Sequence, residues 1–130
     1  MSNSKNLWSK RIGQETVKAP KTFMVEQANY FNEMTKNKLV AKVESYQRKR
    51  GEKNYLVHEF DITSPTLGNY NFTLFYIEHD ISMFPLTLRF SLVDHNPISV
   101  NSQSNFEESL EGLMNHKDTI NAINGLLAQA

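Results

Sequence analysis

The 130-residue sequence contains no cysteine. This absence excludes disulfide bonds, thiol nucleophiles and thiolate metal sites. Its apolar runs fall well short of the roughly 18 consecutive apolar residues of a membrane span, and residues 1–10 lack the apolar stretch of a secretory signal. We therefore expect a cytoplasmic protein that does not cross a membrane.

Glycine is scarce, and so are motifs that indicate catalysis. Five scattered glycines do not form a phosphate-binding loop. The sequence also lacks a nucleophile elbow, a zinc-protease helix, a Walker loop, a dinucleotide fingerprint and a kinase signature. No cofactor is expected and an enzyme of familiar mechanism is not favoured, while catalysis by an unfamiliar residue set stays open.

The composition that is present, 39% apolar and 22% charged residues, is typical of one globular domain. Residues 1–19 are polar and basic without a sustained period, and they predict an N-terminal arm that precedes a single domain at 20–130. The arm contains the only tryptophan, Trp8. Trp8 either packs onto the surface of the domain or anchors a binding partner, and it is therefore a candidate binding residue.

Helical spacing follows the arm. Pro20 suits a first helical turn and Thr22 can cap a helix over 23–36, in which apolar residues recur from Met24 to Met34. We expect this apolar stripe to pack on a sheet. Because it is rich in methionine and aromatic residues, the alternative is an adaptable binding surface.

Four strands and a short edge strand are predicted over 39–48, 55–63, 70–79, 84–92 and 98–100. The strand at 70–79 has apolar residues at both odd and even positions, which predicts a central strand covered on both faces. Two more helices follow, one with a capping box at Ser104 and Glu107 and one capped by Asp118. The predicted fold is α+β: an N-terminal helix, an antiparallel meander of four or five strands, and two C-terminal helices packed on the sheet.

Histidines and carboxylates are close in sequence, but their spacing is not that of a metal or catalytic site. The set is His58, Glu59, Asp61, Glu78, His79, Asp80, Asp94, His95 and His116. Within a strand, alternate residues face opposite sides, so the pleat separates His58 from Asp61 and Glu78 from His79. We expect structural roles for this set and no metal site.

Charge is distributed unevenly along the chain. Residues 1–53 hold 12 of the 14 lysines and arginines and five acidic residues, a net charge of +7, and residues 54–130 carry −7. The two halves either complement each other within one fold or present a basic surface to an acidic partner. The most concentrated basic feature is Arg48, Lys49, Arg50 and Lys53, at the predicted tip of the first hairpin.

These observations predict a small non-enzymatic protein that binds another protein or a second copy of itself. Arg48, Lys49, Arg50 and Lys53 are the candidate contacts, with an acidic surface such as Glu107, Glu108 and Glu111 of a second copy as their partner. Eight phenylalanines and five tyrosines favour an alternative, a pocket for a small apolar ligand between the helices and the sheet. A lesser alternative is nucleic-acid binding through the basic hairpin.

Overall fold

A computed structural model describes residues 4–14, 17–93 and 96–130, and across these residues the chain forms three helices and one five-stranded antiparallel sheet. The elements are α1 (Pro20–Met34), β1 (Val40–Arg50), β2 (Lys53–Ser64), β3 (Tyr70–His79), β4 (Leu86–Phe90), β5 (Ile98–Val100), α2 (Gln103–Met114) and α3 (Lys117–Gln129), with a 3₁₀ turn at Pro65–Leu67. The strands lie in the sheet in chain order. The predicted α+β class, meander and three helices are confirmed.

The first hairpin is long and regular. β1 and β2 pair without a register shift from Val40 opposite Thr63 to Arg50 opposite Lys53. Two residues connect the strands, and Gly51 adopts a φ of 64°, a left-handed conformation that glycine reaches at little cost. The predicted turn over 50–54 is therefore shorter than expected, and the paired strands extend almost to its tip.

One face of the sheet, here called the inner face, packs against the helices. The rings of Phe60, Phe75 and Phe90 stack across β2, β3 and β4 on this face, with centroid distances of 5.1 and 5.8 Å. Met24 of α1 and Phe106 of α2 are fully buried in the same cluster. Burial of these side chains supplies the main driving force for placing both helices on the sheet.

The mixed pattern of β3 has a different cause from the one predicted. Phe60 lies opposite Phe75 but Asp61 lies opposite Thr73, so Leu74 is an extra residue in β3, a β-bulge. Leu74 and Phe75 are both buried against the inner cluster although they are consecutive. Because of the bulge, apolar residues at both odd and even positions of β3 lie on the inner face. The pattern therefore does not require that both faces of the strand are covered.

The helix N-termini differ from the predicted caps. α1 begins at Pro20 after Ala19, so Thr22 lies inside the first turn and makes no cap. The hydroxyl of Ser102, two residues before the predicted Ser104, accepts the backbone N–H of Asn105 at 3.1 Å. His116 Nδ1 accepts the backbone N–H of Asp118 and takes the place predicted for Asp118.

The connection between α1 and β1 is held by a side chain of the helix. Asn32 Nδ2 donates to the carbonyl of Ala41 at 3.1 Å, and Asn32 Oδ1 accepts the N–H of Ala41 at 2.6 Å. One carboxamide thus satisfies both backbone groups of Ala41, as a neighbouring strand would. The contact fixes the last turn of α1 beside the first residues of β1.

Candidate functional site

An apolar groove lies between α1 and α3 and is open to solvent. It encloses about 670 Å³. Phe60 and Leu74 of the sheet form its floor. Its walls are Tyr30, Phe31, Met34, Met114, Ile120, Ile123 and Leu127.

The groove exists because α1 and α3 carry apolar residues that the core does not cover. In the first half of α1, Met24 and Ala28 are buried in the core. Further along, Tyr30 is 64% exposed and Met34 is 74% exposed. The predicted packing role of the stripe therefore holds for the first half of the helix, while the second half forms a wall of the groove. Opposite it, Ile120 of α3 is 44% exposed.

The polar groups of the groove are uncharged amides and hydroxyls. In the described part of the chain, no lining residue carries a charge. Thr35 and Thr119 donate their hydroxyls to the backbone carbonyls of Leu39 and Leu113, so these donors are satisfied. Gln27 and Asn124 also line the groove, and their amides make no hydrogen bond to any residue that the structure describes. They can donate to and accept from a ligand.

The predicted hairpin residues lie at the far end of the sheet, mainly on the opposite face, here called the outer face. Arg48 Nη1 lies 3.3 Å from Glu78 Oε1, and Arg50 Nε lies 3.0 Å from Glu78 Oε2. Arg48 also stacks over Tyr76, 5.4 Å from the ring centroid. The two arginines thus have a carboxylate partner within the fold. Their role in contacts with another molecule stays a prediction.

Tyr46 extends this network along the outer face. Its hydroxyl donates to Glu59 Oε1 at 2.7 Å, and this hydrogen bond, with burial and the charge of Glu59, raises the pKa of Tyr46. Arg48 Nη2 donates to the same hydroxyl at 3.2 Å. Lys49 is exposed and falls on the other face of β1, since consecutive strand residues alternate. Lys53 is exposed and lies opposite Arg50 at the tip.

Trp8 lies outside both regions and is 76% exposed. Its neighbours Leu7 and Ile12 are exposed as well. The expected packing of Trp8 onto the domain surface is therefore slight, and its alternative role as an anchor for a partner stays a prediction.

The structure brings two of the predicted histidines together on the inner face. The rings of His58 and His79 lie 5.2 Å apart, and both residues are buried. His58 Nδ1 shares a 2.7 Å hydrogen bond with Ser45 Oγ, and His79 Nδ1 donates to the carbonyl of Asp80. Burial, followed by the charges of His79 and Lys21, lowers the pKa of His58 to about 4. His58 is therefore suited to a neutral structural role.

The remaining histidines and carboxylates do not converge. Asp61 lies on the outer face, where it accepts the Thr73 hydroxyl at 2.6 Å, away from His58. His116 and Asp118 form a separate pair at 3.7 Å. Asp94 and His95 lie outside the described residues, and among the residues that are described no three His, Asp or Glu side chains are placed to hold a metal ion.

Sequence reasoning missed the groove residues of α3 and the proximity of His58 to His79. The sequence predicted a pocket between the helices and the sheet but not its residues on α3, because helical spacing indicates an apolar face without showing what covers it. His58 and His79 are adjacent only because of the β2–β3 register, in which His58 lies opposite Ile77. The pair could have been identified from the sequence only if the pairing register of β2 and β3 had been known.

Comparisons with protein-family models, with curated proteins and with solved structures found no match. No helix of the described residues is long and apolar enough to cross a membrane.

Proposed function

We propose that this protein binds a small, uncharged, apolar molecule in the groove between α1 and α3. The supporting observation is the groove itself: about 670 Å³, floored by core residues and walled by apolar side chains. Small-molecule sites typically occupy roughly 300–1,000 Å³ and combine an apolar lining with a few polar groups.

The chemistry of the lining narrows the ligand class. A charged group enclosed in this groove would lose its hydration without gaining an ion-pair partner, because the described lining residues are uncharged. A neutral molecule loses much less hydration free energy when it enters the groove. The amides of Gln27 and Asn124 supply a hydrogen-bonding position for a hydroxyl, carbonyl or amide on an otherwise apolar ligand.

The exposed apolar side chains of the groove walls supply the driving force for ligand binding. Tyr30, Met34 and Ile120 expose large apolar surfaces that a ligand would remove from water, at roughly 25 cal/mol for each Å². Two of the lining residues, Met34 and Met114, are methionines, whose flexible side chains adapt to ligands of different shape.

Two other functions predicted from the sequence are less well supported. Nucleic-acid binding by the hairpin would have to compete with Glu78 for Arg48 and Arg50. Binding to an acidic protein meets the same competition at these two residues. The cytoplasmic location predicted from the sequence is kept as part of the proposal.

Binding of N-phenyl-1-naphthylamine, an uncharged fluorescent probe, tests the proposal. We expect saturable binding at one site per chain. Met34→Glu and Ile120→Glu place a carboxylate in the walls and are expected to weaken binding at least ~10-fold, because the probe cannot solvate the charge. Val25→Glu is the matched control, since Val25 is a partly exposed apolar residue of α1 outside the groove. Urea unfolding establishes that each variant is folded.

The ligand class is tested by displacing the probe with 1-decanol or with decanoate at pH 8. The proposal predicts that decanol competes at lower concentration than decanoate. Equal affinity of the probe for the wild type and both groove variants would contradict the site, and stronger competition by decanoate would contradict the uncharged ligand class.

A further inference from the structure

β1 is an edge strand: it pairs with β2 on one side and, among the described residues, with no strand on the other. It pairs with β2 along its whole length, and in the sheet order no strand of the described chain lies beyond it. Asn32 bonds both backbone groups of Ala41, so these groups point away from β2. Because the β1–β2 register is regular, the N–H and C=O groups of Val43, Ser45, Gln47 and Lys49 point the same way.

These four residues form the open edge. Within residues 4–14, 17–93 and 96–130, none of their outward backbone groups has a hydrogen-bond partner. Edge strands are usually shortened, bulged, interrupted by proline, covered, or protected by charged side chains. The charged residues of β1 are of both signs, so an antiparallel copy can place opposite charges together. β1 has eleven residues, no proline and no bulge. Asn32 covers its first part, and the hairpin turn at Gly51 bounds the other end.

We propose that two copies of this chain associate by antiparallel pairing of their open edges, with the two-fold axis at Tyr46. The bounds of the open edge determine this register. Val43 would lie opposite Lys49 of the second copy and Ser45 opposite Gln47 of the second copy, which uses every free position and forms about eight backbone hydrogen bonds. An axis at Ser45 would require Ala41, which Asn32 already occupies. An axis at Gln47 would place Val43 opposite the turn residue Gly51.

The side chains on the outer face agree with this register. Glu44 lies opposite Arg48 of the second copy, an attractive pair, and Tyr46 lies opposite Tyr46 of the second copy. Lys42 falls opposite Arg50 of the second copy, and this is a like-charged pair. Each of these cations has a carboxylate of its own chain, Glu44 at 2.9 Å for Lys42 and Glu78 at 3.0 Å for Arg50. The net charge of zero means that two copies have no overall repulsion to overcome.

The first test uses sedimentation equilibrium of the full chain. The wild type is expected to form a dimer whose dissociation constant rises at least ~100-fold in Gln47→Pro. Proline at position 47 removes an N–H that points away from β2, so the β1–β2 hairpin is retained while pairing with a second copy is blocked. Gln47→Thr retains the N–H and is the matched control. Circular dichroism and urea unfolding show whether the proline variant is folded.

The second test examines the register and does not depend on a proline. The sequence contains no cysteine, so an introduced cysteine has no native thiol with which it could form a disulfide. Tyr46→Cys places two thiols across the axis at a non-hydrogen-bonded pair, where the Cα atoms are about 4.5 Å apart and a disulfide fits. Glu44→Cys is on the same face but lies opposite Arg48 of the second copy, far from its own equivalent. Under mild oxidation, Tyr46→Cys is expected to form a covalent dimer and Glu44→Cys is not.

The outcomes separate this proposal from ligand binding by the groove, on which it does not rest. A wild type that is monomeric throughout the concentration range overturns it. So does a dimer that Gln47→Pro leaves intact or that Met34→Glu dissociates, because the interface would then lie elsewhere. Equal cross-linking of both cysteine variants overturns the register at Tyr46.

Discussion

His58 is a buried histidine on the inner face, and the fold favours its neutral form. Its ring lies beside His79 and shares a hydrogen bond with Ser45. Burial in this environment lowers the pKa of His58 from 6.5 to about 4. Between these two values the unfolded chain binds a proton that the folded chain does not, so protonation of His58 favours unfolding as the pH falls.

The stability that neutral His58 contributes should therefore be fully present above pH 6.5 and be lost as the pH falls towards 4. Between pH 7.5 and pH 5 we expect the wild type to lose about 2 kcal/mol more of its free energy of unfolding than His58→Gln. Urea unfolding of both proteins at the two pH values measures this difference. Equal losses in the two proteins would show that His58 keeps an ordinary pKa in the fold.

At the scale of elements, two glycines allow the effect of backbone conformation on stability to be measured without steric clashes. An added Cβ atom meets nothing within 4 Å at either Gly51 or Gly125. Gly51 has a φ of 64° in the hairpin turn, whereas Gly125 lies within α3 and does not have a positive φ. A substitution at either position therefore changes backbone preference without creating a steric clash.

We expect Gly125→Ala to raise the free energy of unfolding by about 0.5–1 kcal/mol, because alanine favours a helix. Gly51→Ala should lower it by about 1 kcal/mol, since alanine disfavours a left-handed conformation. The two midpoints of urea unfolding check the pair. Shifts in the same direction would show that one of the two backbone conformations is wrong.

For the helices and strands, part of the fold could be predicted from the sequence. The order of elements and the bounds of β3 were predicted correctly, because alternation and turn residues are local signals. The cap at Thr22 was wrong because α1 starts at Pro20 after Ala19 and has no side-chain cap, and the cap at Ser104 was wrong because the nearby Ser102 hydroxyl takes that role. The bulge at Leu74 and the groove depend on register and on the distance between helices, for which no single segment carries a signal.

At the scale of the whole molecule, the two oppositely charged halves meet at Glu78. Arg48 and Arg50 belong to the basic half and Glu78 to the acidic half, and its side chain is only 11% exposed. Other ion pairs, such as Lys18 with Glu26 and Lys42 with Glu44, lie within the basic half. The interpretation that the halves complement each other within one fold is thus supported at Glu78.

Glu78→Gln should lower the free energy of unfolding by about 2 kcal/mol at low salt, because two neighbouring arginines lose their shared partner. The loss should be smaller in 1 M NaCl, where the repulsion between the arginines is screened. Glu26→Gln is the control, since its pair with Lys18 is about half exposed and contributes little. A salt-independent loss, or equal losses for the two variants, would contradict this assignment.

The extra residue at Leu74 also determines which changes this strand can accept over evolutionary time. A substitution there alters the contacts of one side chain, and deletion of Leu74 would remove the bulge while Phe72 and Phe75 stay on the inner face and keep their partners in β2. A deletion elsewhere in β3 would move the residues between it and position 74 to the opposite face, so we expect homologous chains to lose one residue at Leu74 more readily than at any other position of this strand. In an alignment, a one-residue gap within this strand is therefore expected at Leu74, in chains whose third strand lacks the bulge.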